Sequence, residues 1–181
     1  MGVVNFVVRL ILFIYLFSFC LGTNLYVVSS DGSTSYSFIQ DAIDSASNGD
    51  TILVHTGTYS ENVNFNGKNV IVLSHFCYDE SPDSTFLTST IIDGNNSGSV
   101  VTFDSGESTA TLLCGFTIQN ESTSDGGGIY IDHASPHIKN NIIDNNYASY
   151  RGRGIYKQKG RQEDIPSLFE SKIQGYPLCM V

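Results

Sequence analysis

Gly126-Gly-Gly-Ile-Tyr and Gly152-Arg-Gly-Ile-Tyr are two copies of one short pattern, and their first residues lie 26 positions apart. A fixed period in the twenties is typical of solenoid proteins, in which each repeat forms one coil. Over residues 51–156, short runs rich in β-branched and aromatic residues alternate with Gly, Asn, Asp and Ser, and no long helical pattern separates them. The sequence therefore predicts an all-β protein, a right-handed single-stranded parallel β-helix in which residues 51–150 supply roughly four or five coils.

The apolar positions of these runs predict the interior of the solenoid. The residues expected to point inward are Val54, Val72, Phe103, Ile118 and Ile131. The asparagines that lie where the chain must bend are Asn120, Asn140, Asn141, Asn145 and Asn146. Asn tolerates left-handed backbone angles, and stacked Asn side chains form hydrogen bonds along a solenoid axis. These asparagines are therefore predicted to build turns and ladders rather than to bind ligands.

One amphipathic helix is predicted ahead of the coils, over residues 37–47. Its apolar residues fall three or four positions apart on one face: Phe38, Ile39, Ala42, Ile43 and Ala46. Ser35 or Ser37 is the expected N-cap, and Asn48-Gly-Asp provides a left-handed stop. An open solenoid end exposes apolar side chains and unpaired backbone N–H and C=O groups. The strand and helix within residues 23–50 are therefore predicted to cover the first coil. No other helix is predicted before residue 150.

The two ends of the chain depart from the repeat pattern. Residues 1–22 contain Arg9 and then an apolar run of about a dozen residues, which is short for a bilayer span and typical of a secretory signal peptide; an uncleaved anchor is the alternative. The mature protein is therefore expected to be secreted or at the cell surface, with no membrane contact. Charge and composition change together at Arg151, so residues 157–181 are interpreted as an off-pattern tail, truncated or frameshifted, with a natural cap as the alternative.

The charge of the chain argues against nucleic acid as a partner. The chain has 18 acidic and 9 basic residues, and an acidic body repels phosphate backbones, so nucleic acid is not an expected partner.

Beyond the predicted signal, Cys77, Cys114 and Cys179 are too sparse for a disulfide framework. Cys114 lies in an apolar run and is interpreted as an inert core residue, in preference to a Cys77–Cys114 bridge.

Seven segments over residues 35–156 share features with a known group of proteins. They are Ser37-Phe-Ile-Gln-Asp-Ala-Ile-Asp-Ser-Ala, Gly49-Asp-Thr-Ile-Leu-Val, Gly57-Thr-Tyr-Ser-Glu-Asn-Val, Lys68-Asn-Val-Ile-Val-Leu, Thr90-Ile-Ile-Asp-Gly, Gly115-Phe-Thr-Ile-Gln-Asn and Gly126-Gly-Gly-Ile-Tyr-Ile. These segments resemble secreted β-helix repeat proteins of the pectin lyase-like superfamily, and the third is especially similar to pectinesterases. The resemblance implies the same fold and sugar chemistry, with a polysaccharide or cell-surface glycan as partner.

The resemblance does not extend to catalytic motifs. The oxyanion and aspartate motifs of pectinesterases, the Gly-His-Gly and Arg-Ile-Lys segments of polygalacturonases and the basic residue of lyases have no counterpart here; the sequence has no arginine from Leu10 to Tyr150. The sequence therefore predicts a non-catalytic module for polysaccharide recognition or extracellular scaffolding. The alternative is the N-terminal part of a carbohydrate-active enzyme whose catalytic coils lie beyond this chain.

A carbohydrate-binding surface is predicted near the later turns. Its residues are Tyr130, Asp132, His133 and Tyr147. Tyrosine rings can stack on sugars along a solenoid face, and ordinary exposed tyrosine is the alternative.

Calcium is the one cofactor for which the sequence offers ligands. Asp125, Asp132 and Asp144 lie on turns of consecutive strands, where they can line one ridge with hard oxygen ligands. Solvated turn acids are the alternative, and no other cofactor is expected.

Two Asn-X-Ser sequences are acceptors for N-glycosylation if the host is eukaryotic. They are Asn95-Asn-Ser and Asn120-Glu-Ser.

Overall fold

The computed structural model describes residues 22–79, 83–152, 154–158 and 169–173. The predicted signal peptide, apart from Gly22, and most of the predicted tail lie outside these residues. The strands are β1 (Leu25–Val28), β2 (Thr51–Val54), β3 (Gly57–Ser60), β4 (Val63–Asn64), β5 (Ile71–Ser74), β6 (Thr90–Asp93), β7 (Val101–Phe103), β8 (Leu112–Cys114), β9 (Thr117–Gln119), β10 (Ser122–Asp125), β11 (Ile129–Asp132), β12 (His137–Asp144), β13 (Tyr147–Arg151), β14 (Ile155–Gln158) and β15 (Phe169–Ile173). The helices are α1 (Ile39–Ser45), α2 (His75–Tyr78) and α3 (Thr85–Ser89).

Among the described residues, β2 to β14 wind into four successive coils, and β15 pairs in parallel with β12 beyond the fourth coil. β2 to β4 form the first coil, β5 to β7 the second, β8 to β11 the third and β12 to β14 the fourth. Parallel pairing between coils builds a first face in the order β1-β2-β5-β8-β12, a second in the order β3-β6-β9-β12 and a third in the order β4-β7-β11-β14. The chain is a right-handed parallel β-helix, as the sequence predicts, because consecutive strands lie on different faces and pair only one coil later.

β12 bends from the first face to the second. Its first half pairs with β8 through Ile138 and Leu113, and its second half pairs with β9 through Ile143 and Ile118. The bend between the two halves contains Asn140, whose backbone φ is 52°.

The interior of the coils contains the side chains that the sequence predicted. Val54, Val72, Phe103, Ile118 and Ile131 are each at most 1% exposed. In the third face, Phe103 packs on Phe65 of the preceding coil, with ring centroids 4.4 Å apart. The core is therefore continuous along the axis, since each coil covers the apolar side chains of its neighbour.

Three of the five predicted asparagines lie in turns, and the other two form hydrogen bonds between coils. The turn residues with positive φ are Asn120, Asn140 and Asn145. Asn141 and Asn146 instead lie inside the coil. Nδ2 of Asn141 donates to the carbonyl of Leu113 at 3.0 Å, and Nδ2 of Asn146 donates to the carbonyl of Ile118 at 2.9 Å. These amides connect the third coil to the fourth and satisfy backbone groups at the bends.

The repeated glycines explain the pattern that marks the sequence. Gly126 has φ 68°, and a Cβ there would lie 2.9 Å from a ring carbon of Tyr130. Gly152, with φ 61°, has the same relation to Tyr156, at 2.7 Å from its Cβ. A Cβ on Gly128 would lie 2.7 Å from a methyl of Ile143. Gly126 and Gly152 thus let the backbone pass close to the tyrosine of the same repeat, and Gly128 allows close packing against Ile143.

Helix α1 covers the first coil with the buried side chains of Ile39, Ala42 and Ile43. The predicted serine N-cap is wrong: the N-cap residue is Phe38, which makes no side-chain capping bond and is 52% exposed. The carboxylate of Glu61 replaces the serine, because it accepts from the backbone N–H of Ile39 at 2.8 Å and of the next residue at 2.9 Å. A side chain from the first coil therefore caps the helix.

Two short helices, α2 and α3, lie between β5 and β6, where the sequence predicted none. They contain four and five residues, too few for a 3.6-residue periodicity to stand out. Within the described ranges, no helix is long and apolar enough to cross a membrane.

Candidate functional site

Residues 75–79 and 83–89 form an insertion that leaves the regular coil at the corner between the first and second faces. In the first coil, this corner is turned by His55 and Thr56 alone, and in the third coil by Gly115 and Phe116. In the second coil, both α2 and α3 lie at the same corner, between β5 and β6. Extra segments carried on a rigid scaffold are common places for binding sites.

A disulfide between Cys77 and Cys114 ties the insertion to the third coil. The S–S distance is 2.06 Å, and the two Cα atoms are 6.1 Å apart. The interpretation of Cys114 as an unpaired core residue is therefore wrong. Gly115 explains the difference: a Cβ there would lie 3.2 Å from Sγ of Cys77, so only glycine lets α2 approach this closely. Pairing across 37 residues is a tertiary contact that spacing does not reveal.

Apolar and polar contacts complete the attachment. Leu53, Leu73 and Cys114 form a second apolar cluster on the outer surface of the first face, against which Cys77 packs. Oγ1 of Thr117 donates to the carbonyl of Leu87 in α3 at 2.7 Å. Both helices of the insertion are thereby fixed to the solenoid.

A groove of about 420 Å³ lies between this insertion and the bend of β12. The lining residues are Phe76, Ser84, Thr85, Leu87, Thr88, Asn140, Asn141 and Ile142. Phe76 and Leu87 supply apolar surface, while three hydroxyl groups and the exposed amide of Asn140 supply hydrogen-bonding atoms. A largely apolar pocket with a few polar groups is the usual form of a small-molecule site.

The wall of the groove on the solenoid side is rigid. Asn141 is 1% exposed, and its Oδ1 accepts from the backbone N–H of Phe116 at 2.9 Å, while its Nδ2 donates to Leu113. Asn140 lies beside it with its Nδ2 3.8 Å from Sγ of Cys114. The two asparagines therefore have different roles. The side chain of Asn141 forms hydrogen bonds within the β-helix, and the exposed side chain of Asn140 faces the groove.

The described residues that line the groove include no carboxylate, imidazole, thiol or amine. The histidine of the insertion, His75, stacks instead on His55 and Phe86, with centroid distances of 5.1 and 5.4 Å. Its Nδ1 lies 3.5 Å from a carboxylate oxygen of Asp79. The described lining therefore offers a ligand apolar surface, hydroxyl groups and amide groups.

The carbohydrate-binding residues predicted from the sequence lie outside the groove, three of them on or directly after β11 of the third face. Tyr130 stacks on Tyr156 of the next coil, with centroids 5.7 Å apart and planes 24° apart. Asp132 follows on the same strand, and its Oδ1 lies 2.6 Å from Nδ1 of the exposed His133. Tyr147 lies on β13, which pairs with β10 in a separate two-stranded sheet. Tyr130, Asp132 and His133 are thus close neighbours along the chain, and Tyr147 belongs to a different sheet.

The three predicted calcium ligands lie on strands of different sheets. Asp125, Asp132 and Asp144 belong to β10, β11 and β12, respectively. Asp144 is in register with Gln119 on the second face, so it stacks in a column away from Asp132. In the described part of the chain, no group of three or more His, Cys, Asp or Glu side chains forms a metal site. Calcium binding at these acids stays a prediction.

Sequence reasoning missed the groove because its two walls are far apart in the chain. One signal was available: the apolar runs that became β5 and β6 are separated by residues 75–89, much more than a solenoid corner needs. Such a gap, with Cys77 inside it, indicates an insertion. The contact with Asn140, 63 positions later, has no local signature.

No protein-family model matches the chain, and no curated protein matches it. Among solved structures, it is similar to a pectin methylesterase in complex with a hexasaccharide, at 17% identity and a TM-score of 0.49, over 71% of this chain and 45% of that one. It is also similar to a pectin methylesterase from carrot, at 17% identity and a TM-score of 0.47, over 80% of this chain and 60% of that one. The chain thus spans about half the length of these structures.

Proposed function

We propose that this protein is an extracellular, non-catalytic β-helix module that binds a saccharide in the groove between the insertion and β12. The observation that carries the proposal is the combination of Phe76 and Leu87 with the hydroxyl groups of Ser84, Thr85 and Thr88. A sugar ring has apolar C–H faces and a rim of hydroxyl groups. It can therefore contact an aromatic side chain while its hydroxyls bond to protein hydroxyl and amide groups.

The disulfide supports an extracellular location. Structural disulfides persist in oxidising compartments and are rare in the cytosol. The Cys77–Cys114 bond holds one wall of the groove, so the proposed site would depend on oxidation. This fits the secretory leader predicted for residues 1–22.

The charge around the groove favours an uncharged saccharide. The described lining residues include no Lys or Arg, and the whole chain has a net charge of −9. A polyuronate would meet an acidic protein without a cation to pair with its carboxylates, and that is unfavourable. The proposed ligand is therefore a neutral oligosaccharide, for which the groove has room for about one or two rings given the usual volume of ligand pockets.

The test is binding of the full chain to matched neutral and uronic-acid oligosaccharides by calorimetry, with two groove variants. Thr88→Ala removes a hydroxyl group, and Asn140→Gly removes an amide while keeping the positive φ. Each loss of a hydrogen bond is expected to raise Kd by roughly 3- to 10-fold. Thr102→Ala, on the third face, is the matched control and should leave Kd unchanged.

The same samples separate the alternatives. If both groove variants keep wild-type affinity for the saccharide while Tyr130→Ala loses it, the groove is not the binding site. That result would favour the surface predicted on the third face. Release of methanol or of shortened uronides would contradict the non-catalytic role and favour the N-terminal part of a carbohydrate-active enzyme. Binding to neither class of saccharide would leave scaffolding as the better prediction.

A further inference from the structure

The two Asn-X-Ser sequences have different structural environments. Asn95 lies in an exposed turn after β6, with φ 49°, and the two residues that follow it are also exposed. Its backbone N–H donates to Oδ1 of Asp93 at 2.9 Å, and this bond shapes the turn without using the Asn95 side chain. Ser97 contributes to the same turn through its backbone N–H, which donates to the carbonyl of Gly94 at 3.0 Å.

Asn120 is held by the coil below it. Its Nδ2 donates to Oδ2 of Asp93 at 2.7 Å, and its carbonyl accepts from the backbone N–H of Asn96 at 2.7 Å. Burial raises the pKa of Asp93, but hydrogen bonds that include this one outweigh it and leave the pKa below its usual value. The residue after Asn120, Glu121, is 1% exposed. The nitrogen that would receive a sugar is therefore part of the contact between coils.

We propose that Asn95 is an N-glycosylation site of this protein in a eukaryotic secretory pathway and that Asn120 is not. The co-reactant is an oligosaccharide linked to a polyprenyl diphosphate. A bond forms between C1 of the first sugar and Nδ2 of Asn95, the bond between C1 and the diphosphate oxygen breaks, and the amide proton leaves with the polyprenyl diphosphate. A glycan on Asn95 extends into solvent, whereas one on Asn120 would separate the second and third coils.

The position of Asn95 leaves the groove open. Thr88 lines the groove two residues before β6 begins, and Asn95 follows the other end of that strand by two residues. A strand of four residues spans roughly 13 Å. The glycan would therefore shield the corner between the second and third faces without covering the residues between α2 and β12.

The experiment expresses the full chain, behind a secretory leader, in a eukaryotic cell and maps glycans by mass spectrometry before and after treatment with peptide N-glycosidase. Ser97→Ala and Ser122→Ala each remove one acceptor sequence without altering an asparagine. We expect one glycan in the wild type, none in Ser97→Ala and an unchanged glycan in Ser122→Ala. The Cys77–Cys114 peptide in the same map verifies that the chain entered the oxidising compartment.

Three results would overturn the proposal. They are a glycan that disappears in Ser122→Ala, a folded secreted chain with glycans at both positions, and a secreted chain with the disulfide but no glycan. A cooperative thermal unfolding transition identifies the molecules that are folded. A chain modified at Asn120 should unfold at a lower temperature than one modified at Asn95.

Discussion

At the scale of single residues, two buried glutamates differ in the hydrogen bonds that their carboxyl groups accept. Glu107 and Glu121 are each 1% exposed. The carboxylate of Glu107 accepts from the backbone N–H of Gly67 at 2.8 Å and of Ser105 at 3.1 Å. Both carboxylate oxygens of Glu121 lack a hydrogen-bond partner among the described residues. Burial raises the pKa of Glu121 to about 7, and the nearby N–H of Tyr147 opposes this only in part.

The free energy of unfolding should therefore decrease as the pH rises from about 4.5 to about 7. The folded state holds the Glu121 proton more tightly than the unfolded state, whose glutamate has the ordinary pKa of 4.5. The contribution is fully present below the unfolded pKa and is lost as the pH rises through the folded one, with an upper bound on the order of 3 kcal/mol. Glu121→Gln should flatten this dependence and be the more stable protein at pH 7.5, measured by urea unfolding.

Glu107→Gln is the matched control. It replaces an acceptor of two backbone N–H groups by an amide that can serve only one well, so it should be destabilised at every pH. If Glu121→Gln loses stability at pH 7.5 as Glu107→Gln does, the interpretation of Glu121 as an unpaired carboxyl is wrong.

At the scale of elements, helix α1 is fastened to the first coil at both ends. Glu61 accepts from N–H groups at its start. At its end, Nζ of Lys68 lies 2.8 Å from the carbonyl of Ile43, 2.6 Å from that of Asp44 and 2.9 Å from that of Ala46. A carboxylate at the N-terminus and an ammonium at the C-terminus both complement the helix dipole. The apolar face thus sets which side of α1 is buried, and the two charges fix its ends.

Removing either charge should loosen the helix more than the rest of the molecule. Glu61→Ala and Lys68→Met are each expected to lower the free energy of unfolding by about 1–2 kcal/mol, by analogy with the loss of a helix cap. Hydrogen exchange should speed up first at the amides of α1. Asp41→Asn, at an exposed position in the first turn, is the control. Equal exchange rates in all three variants would show that the apolar face alone holds the helix.

At the scale of the whole molecule, each coil contacts its neighbours through parallel pairing, and one covalent bond joins the second coil to the third. Solenoids depend on such neighbour contacts for stability. The Cys77–Cys114 bond closes a loop of 37 residues and restricts the unfolded chain.

Cys77→Ser combined with Cys114→Ser should lower the free energy of unfolding by roughly 2–4 kcal/mol. Far-UV circular dichroism should stay that of a β-protein, because the coil pairing does not use the bond. Reductant should bring the wild type to the stability of the double variant and leave the variant unchanged. A wild type and a variant of equal stability would show that the apolar cluster around Leu73 holds the insertion without the disulfide.

The β-helix fold could be predicted from the amino-acid sequence. The 26-residue spacing, the inward apolar positions and the asparagines at bends are set by local steric preferences, so they can be read along the chain. The caps of α1, the disulfide and the groove are visible only in the folded chain, because Glu61, Lys68, Cys114 and Asn140 contact partners at least 21 positions away. Winding brings such residues together at a corner, and their positions depend on the lengths of every intervening coil.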